Sequence, residues 1–209
     1  SPLQETYQGF NYSAGVAQKI KDYTIRASVS SGFRPPHLSE LLSDGVHHGS
    51  LRYEKGEPNL RSEQATQFDL SGEYNVDHLR IVVNPFYQAF AHYIFINPTG
   101  GLINNYPVFE YTQANRATLL GGEFSYHYHP HFWHALHVEQ NVSYTQAEDE
   151  LGNPFPFIPP FRLQSSVRLS FTSEKKLVLE DISLQHQYFS AQTKTAVYET
   201  ASKAYNLWN

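Results

Sequence analysis

The stretch Ser30-Ser31-Gly32-Phe33-Arg34-Pro35-Pro36-His37-Leu38-Ser39-Glu40-Leu41 marks the place where a strand ends and a long connection begins. Just before it, Tyr23, Ile25, Ala27 and Val29 alternate with polar residues. Residues two apart lie on one side of a strand, whereas a helix would spread them around its surface. Proline has a fixed φ and no backbone N–H, so the two prolines cannot continue the strand. The stretch therefore predicts an amphipathic strand with a rigid end.

The same alternation recurs along the chain and predicts an all-β fold, an antiparallel meander of about nine long strands. The expected strands are Tyr7–Ala17, Asp22–Phe33, Ala65–Tyr74, His78–Ile96, Phe109–Tyr128, Phe132–Gln146, Phe161–Phe171, Lys176–Ser190 and Lys203–Asn209. Several exceed the ~5–6 residues usual in soluble sheets. Length alone does not separate a long-stranded sandwich from a membrane barrel.

The connections between these strands alternate in length. Short turns are expected at Gln18–Lys21, Asn75–Asp77, His129–His131 and Thr172–Lys175, and long loops at Arg34–Gln64, Asn97–Val108, Ala147–Pro160 and Ala191–Ser202. In a meander, every second connection lies at the same end of the sheet. Short turns at one end and long loops at the other are typical of an outer-membrane barrel, although a soluble sandwich can show the same pattern.

The alternation also predicts which side of the sheet meets lipid. The apolar set comprises Ile25, Val29, Phe68, Leu70, Ile81, Val83, Leu136, Val138, Leu163, Val167 and Leu169. The polar set on the other side includes Arg26, Asp69, Glu73, Arg80, Glu123, Glu139 and Arg168. We expect the first set to face the bilayer and the second to face water or a plug inside a barrel.

Composition excludes several classes of protein. The chain has 209 residues, a formal net charge of -5, and neither cysteine nor methionine. That charge offers no basic footprint for nucleic acid, and the missing thiols exclude disulfides and Fe–S clusters. The sequence has no apolar run of the ~20 residues that a membrane-spanning helix needs, so no such helix is predicted. No Gly-x-Ser-x-Gly elbow or other nucleophile–base set appears, so we expect no enzymatic activity and no catalytic residue.

The opening stretch resembles the barrel signature of TonB-dependent outer-membrane receptors. In that family a strand ends in Gly-Phe-Arg, a proline follows, and a hydrophobic–Glu–Leu segment comes next. The similarity continues through Gly45-Val46-His47-His48-Gly49, Tyr53-Glu54-Lys55-Gly56, Glu57-Pro58-Asn59-Leu60 and Ser62-Glu63-Gln64. Further on, Leu120-Gly121-Gly122-Glu123-Phe124 and Pro156-Phe157-Ile158-Pro159-Pro160 resemble other family segments. Each match alone is weak, but together they stand in the family's order.

The resemblance implies that residues 1–209 are part of a 22-stranded transmembrane β-barrel, without its plug and remaining strands. It further implies the outer membrane of a Gram-negative bacterium, with TonB as a partner through the absent plug domain. The implied activity is active uptake of a scarce nutrient, with a metal ion or a metal chelate such as a siderophore, haem, zinc or copper as the expected cargo. No resident cofactor is implied. A soluble β-sandwich binding module and a passive outer-membrane porin remain as alternatives.

The motif residues have a readable structural role. We expect strand termination and loop anchoring, rather than ligand contact, from Phe33, Arg34, Pro35, Pro36, Glu40, Pro58, Leu60 and Glu63. The carboxylates of Glu40 and Glu63 lie near the strand end in sequence. They can pair there with Arg34 or Arg61.

Two adjacent histidines make the longest loop a candidate ligand site. His47 and His48 lie beside Asp44 and Glu54, and imidazole with carboxylate suits zinc, copper or an iron centre. Two neighbouring histidines can share one ion only if the loop bends, which Gly45 and Gly49 permit. The competing interpretation is that these histidines bond backbone carbonyls and anchor the loop.

A second group of histidines surrounds one expected short turn. It comprises His127, His129, His131, His134 and His137. Spacing of two residues places the first three on one strand face, unless Pro130 and the turn interrupt it. On the meander topology this group lies at the periplasmic end. The pattern favours polar lumen-facing histidines, with release of metal or haem as the alternative.

Overall fold

The computed structural model describes residues 6–171 and 180–209. Among these residues, nine strands follow one another in sequence as antiparallel neighbours in a single sheet. Their bounds are β1 Tyr12–Ile20, β2 Tyr23–Arg34, β5 Glu63–Val76, β6 Leu79–Ile103, β7 Tyr106–Tyr128, β8 Leu136–Asp149, β9 Arg162–Ser170, β10 Asp181–Phe189 and β11 Tyr205–Trp208. The antiparallel meander is confirmed, and the strands do not divide into the two packed sheets of a sandwich.

The connection after β2 carries the remaining elements of the described chain. These are a short helix, α1 Leu38–Leu42, and two short strands, β3 Asp44–His47 and β4 Arg52–Lys55. None of the described helices has the length and apolar character needed to cross a bilayer. The sequence pattern did not predict β3 and β4, because four-residue strands leave too few positions for an alternation to be read.

Strand register places the apolar residues on one face. Val29 lies opposite Phe68, which lies opposite Tyr87, and further along Val138 lies opposite Val167, which lies opposite Leu184. Residues directly opposite each other share a side of the sheet. The register therefore unites the whole predicted apolar set: Ile25, Val29, Phe68, Leu70, Ile81, Val83, Leu136, Val138, Leu163, Val167 and Leu169.

The opposite face carries ion pairs between neighbouring strands. Glu73 accepts from Arg80 at 2.9 Å and from Arg26 at 3.4 Å, and so links β2, β5 and β6. Two arginines on one carboxylate keep this face polar without leaving the acid unpaired. A sheet with one apolar and one charged face is the arrangement of a barrel wall between lipid and lumen.

Aromatic side chains line the apolar face near the tight-turn end, hereafter the turn end. Tyr23 and Tyr74 lie opposite each other with ring centroids 4.8 Å apart, and Tyr126 and Tyr128 stack at 6.4 Å. Such girdles mark the level where a barrel meets lipid headgroups. The other end, hereafter the loop end, carries the long connections.

The hairpin of β6 and β7 corrects one sequence-based expectation. Residues 97–108 do not form a long loop, because β6 continues to Ile103 and β7 starts at Tyr106. Asn104 and Asn105 form the two-residue turn with φ of 50° and 65°, the left-handed backbone that tight hairpins require. A register shift between Pro98 and Leu102 absorbs the irregular residues. The hairpin therefore extends well beyond the length that a membrane needs.

Other strand boundaries differ by a few residues. β1 runs from Tyr12 to Ile20 rather than over Tyr7–Ala17, so the first turn is tighter than expected. β8 begins at Leu136 rather than Phe132, because residues 129–135 form the connection. The expected turn Thr172–Lys175 and the start of the expected strand Lys176–Ser190 lie outside the described residues.

Candidate functional site

Arg34 organises the beginning of the long loop after β2. Its guanidinium donates to both carboxylate oxygens of Glu40 at 2.9 Å and to Glu63 at 3.4 Å. Glu40 also accepts from the backbone N–H of His37 at 2.7 Å, at the start of α1. The predicted pairing of both glutamates is therefore confirmed with Arg34. Arg61 contributes through its backbone instead, whose N–H and carbonyl both bond Gln113.

Glu63 closes a gap in the sheet. The ladder between β5 and β6 ends at Gln64 and Ala91, and beyond it the buried N–H of Ile94 donates to the Glu63 carboxylate at 2.9 Å. The side chain thus replaces the backbone carbonyl that a longer β5 would have offered. A buried N–H without a partner is costly, so this contact holds the loop's return point against β6.

A small apolar cluster lies under the loop. Leu41 of α1, Leu60 and Ile94 of β6 are buried together, with Tyr111 of β7 packed against them. Gly56 lies so close to the Leu41 backbone that an added Cβ would come within 2.6 Å of its carbonyl carbon. The loop therefore folds down onto the projecting β6–β7 hairpin.

The loop also joins the sheet directly. β3 and β4 form a small antiparallel hairpin, and β4 pairs in parallel with β7 from Tyr53–Val108 to Lys55–Glu110. Glu54 is buried at 6% exposure and accepts from Arg52 at 2.7 Å and from the Tyr111 hydroxyl at 3.3 Å. Its carboxylate anchors the hairpin to β7.

The four predicted ligand residues do not gather around one point. In the β3–β4 register, Asp44 lies opposite Lys55, and His47 opposite Arg52, so Asp44 and His47 occupy opposite faces. Asp44 accepts from the Tyr53 hydroxyl at 2.7 Å, and this bond raises the pKa of Tyr53 above its ordinary value of about 10.

The two histidines remain accessible. His47 Nδ1 lies 3.0 Å from Ser50 Oγ, and both His47 and His48 are exposed at the tip of the hairpin. Both carboxylates near them already have partners within the loop. Contact of His47 and His48 with cargo therefore stays a prediction, and the structure gives Glu54 an anchoring position.

Sequence reasoning missed the residues on which the loop docks. Tyr111 and Gln113 lie on β7, and the Gln113 side chain donates to the carbonyls of Arg61 and His92 at 2.7 and 2.8 Å. Their distance from the loop in sequence hid this role. The one signal in the sequence was that Tyr111 and Gln113, two residues apart on β7, both carry hydrogen-bonding groups on the same face of the strand.

A second loop packs on the same hairpin. Phe155, from the connection between β8 and β9, is buried with Ala117 and Ala147, and its ring lies 4.7 Å from that of Tyr93 and 4.8 Å from that of Phe95. The β6–β7 hairpin is thus a common support for two of the long loops.

Histidines cluster at the opposite, turn end. Among the described residues, only His127, His129 and His137 bring three or more His, Asp or Glu ligand atoms within 4.8 Å of one another. β7 ends at Tyr128, so His131 leaves the strand face and its ring packs near His78 and His134. Pro130 and the turn therefore interrupt the run of three histidines, and His137 completes the group instead.

The sequence model of the family described as TonB-dependent receptor-like β-barrel matches residues 2–209 of this chain. The chain therefore belongs to the TonB-dependent receptor family, as part of its β-barrel. Among curated protein sequences, none matches the chain.

Solved structures show the same fold at low sequence identity. The copper transporter OprC has a TM-score of 0.76 and 17% identity over 94% of this chain and 30% of its own. The siderophore receptor PirA from Acinetobacter baumannii has a TM-score of 0.65 and 14% identity over 95% of this chain and 33% of its own. A mutant ferric enterobactin receptor PfeA from Pseudomonas aeruginosa has a TM-score of 0.66 and 16% identity over 94% of this chain and 31% of its own. The chain thus spans about a third of the length of these structures.

Proposed function

We propose that this chain is part of the wall of an outer-membrane receptor that imports a metal ion or metal chelate, energised through TonB. On this proposal the apolar face meets lipid, the charged face lines the lumen, and the loop end faces the outside of a Gram-negative cell. TonB acts on a plug domain elsewhere in the receptor. The receptor fold is that of a transporter family, in keeping with the expectation of no enzymatic activity.

One observation carries the proposal: a continuous apolar face spans the sheet within a chain that matches the family's barrel over residues 2–209. A charged side chain on the lipid side of a barrel costs ~2–4 kcal/mol at the bilayer midplane. Because of this cost, the charged side chains of a barrel wall have to lie on the face away from lipid, as the strand register places them in this sheet. A soluble binding module has no reason to expose so many apolar side chains on one side.

The cargo class rests on a different argument. The structurally similar proteins include, by name, a copper transporter and receptors for siderophores. The β3–β4 hairpin is fixed by buried contacts, yet exposes two imidazoles at its tip. We propose that His47 and His48 contact the cargo, while Asp44, bonded to Tyr53 on the other face, and Glu54 hold the hairpin in place. Imidazole binds zinc and copper directly and can donate hydrogen bonds to an iron chelate.

Uptake by the full receptor tests the proposal. Cells that lack the receptor are complemented with wild type, with His47→Ala plus His48→Ala, or with His186→Ala as a histidine control outside the loop. Growth is measured under metal limitation with copper, zinc, haem or ferric siderophores added. The double variant should lose growth on one cargo, while the control retains it and folded barrel is recovered equally from all three.

Deleting TonB separates the receptor from a porin. Uptake through the wild-type receptor should disappear in the deletion strain, because an energised gate no longer opens. Uptake that persists without TonB would identify a passive pore. Unchanged uptake of all cargoes by the double histidine variant would leave those two residues with only an anchoring role.

A further inference from the structure

Imidazoles crowd the lumen-facing side of the turn end. His127 lies opposite Glu139 in the β7–β8 register, and His137 lies opposite Arg168 in the β8–β9 register. These positions belong to the polar face. The same register, continued by one residue, brings His129 beside His137. The lumen wall therefore carries three imidazoles far from the loop hairpin.

The spacing of their nitrogens suits a tetrahedral metal ion. His127 Nε2 and His137 Nδ1 are 3.2 Å apart, and one ligand nitrogen from each of the three rings lies within 4.8 Å of the others. Zn–N bonds of ~2.0–2.1 Å separate two ligands of a tetrahedral ion by about 3.3 Å. The pair is thus already spaced as an edge of such a site, and a His129 nitrogen lies within 4.8 Å of both.

Neighbouring charges give the site an acidic partner. The Glu139 carboxylate lies 4.0 Å from His127 Nε2 and 3.9 Å from the Arg168 guanidinium. It therefore offsets the nearby arginine and lies on the side of the ligating His127 nitrogen, where a carboxylate can complete the coordination of an ion.

His78 lies next to the three histidines without belonging to the group. Its ring meets that of His129 edge-on, with centroids 4.8 Å apart, and also packs against that of His131. His78 therefore supports the position of the turn, and the ligand atoms come from His127, His129 and His137.

We propose that His127, His129 and His137 form a transition-metal site of the zinc and copper class on the lumen wall at the turn end. Three imidazoles leave a fourth coordination position for water, for Glu139 or for a ligand in transit. The site is separate from His47 and His48 and does not depend on which cargo the receptor imports. Its position is on the side of the lumen from which an imported metal would leave.

Zinc binding by the full, detergent-solubilised receptor tests this site. Affinity is measured by competition with a chromophoric chelator for wild type and for His127→Ala plus His137→Ala. The double variant should bind zinc at least about 100-fold more weakly, because the loss of outer-layer partners alone costs ~10–100-fold at metal sites. His131→Ala plus His134→Ala is the matched control from the same turn, and it should retain wild-type affinity.

Three results would overturn the site: no difference between wild type and the first variant, an equal loss in the control, or no zinc bound by wild type. If the first variant does not fold, the Cu²⁺ paramagnetic resonance spectrum of wild type decides instead. Coupling to three imidazole nitrogens supports the site, and coupling to fewer than three refutes it. The variant His47→Ala plus His48→Ala should leave this zinc affinity unchanged, so failure of the cargo proposal and failure of this one are distinguishable.

Discussion

Replacing Glu63 by alanine should release the long loop from the β6 strand. The substitution removes the acceptor of the buried Ile94 N–H and one of the two partners of Arg34. A hydrogen bond to a charged group contributes ~1.5–3 kcal/mol. The contact with Arg34 adds little, since that side chain is 34% exposed and solvent screens the pair. We therefore expect local opening of this region to become about 2–3 kcal/mol easier.

Hydrogen exchange at the Ile94 amide measures this effect in the full receptor. Each ~1.4 kcal/mol corresponds to a factor of ten, so protection should fall roughly 30- to 150-fold. Glu63→Gln keeps an acceptor oxygen but loses the charge, so it should fall between wild type and alanine. Limited proteolysis within residues 35–62 should accelerate in the same order.

Glu110→Ala is the matched control. Its carboxylate pairs with Lys55 at 3.4 Å, but both side chains are more than two-fifths exposed. Exposed pairs contribute ~0.2–1 kcal/mol, so exchange at Ile94 should hardly change. Wild-type protection in Glu63→Ala, or equal loss in both alanine variants, would refute the role assigned to Glu63.

Three further predictions concern the lipid face, the hairpin and the isolated chain. Leu70→Arg, on the lipid side four residues away from the girdle residue Tyr74, should destabilise the folded barrel in liposomes by ~2–4 kcal/mol, whereas Ser71→Arg on the lumen side should cost much less, as measured by urea unfolding. The pKa of the Tyr53 phenol should lie above its ordinary value of about 10, because the hydroxyl donates to Asp44. The stability that this bond contributes is complete below about pH 10 and is lost as the pH rises through the raised pKa. The difference in absorbance titration between wild type and Tyr53→Phe measures the shift. The 209-residue chain alone should aggregate without detergent, because its apolar face and strand edges are uncovered, and a detergent-free monomer by light scattering would contradict the barrel assignment.

The two faces of the sheet could be predicted from sequence because a period of two leaves little freedom. A one-residue slip would move every side chain of a strand to the other face, so the alternation around Val29 or Phe68 already fixes sidedness. The pairing of Arg34 with Glu40 and Glu63 was also predictable, since opposite charges cluster at one strand end.

Other features depended on contacts between distant segments. Pro98, Gly100 and the two asparagines at 104 and 105 are typical of a loop, yet the hairpin accommodates them with one register shift and one tight turn. The expected ligand group around His47 failed to assemble for a similar reason. Strand pairing turned Asp44 to the other face, and Glu54 found partners on a strand more than fifty residues away.

Parallel pairing between β4 and β7 sets an order for assembly. Every other pairing among the described strands joins consecutive strands of the meander or of the loop hairpin, but this one joins Lys55 to Glu110 across 55 positions. Closing such a span in an unstructured chain costs roughly 3–4 kcal/mol of entropy, whereas a completed β5–β6–β7 meander has already brought the ends together. We therefore expect the β3–β4 hairpin to pair with β7 after the meander has formed and to detach before the meander unfolds. If β7 is out of place, the hairpin has no strand to pair with, so an ordered loop end requires that the sheet beneath it is correctly formed.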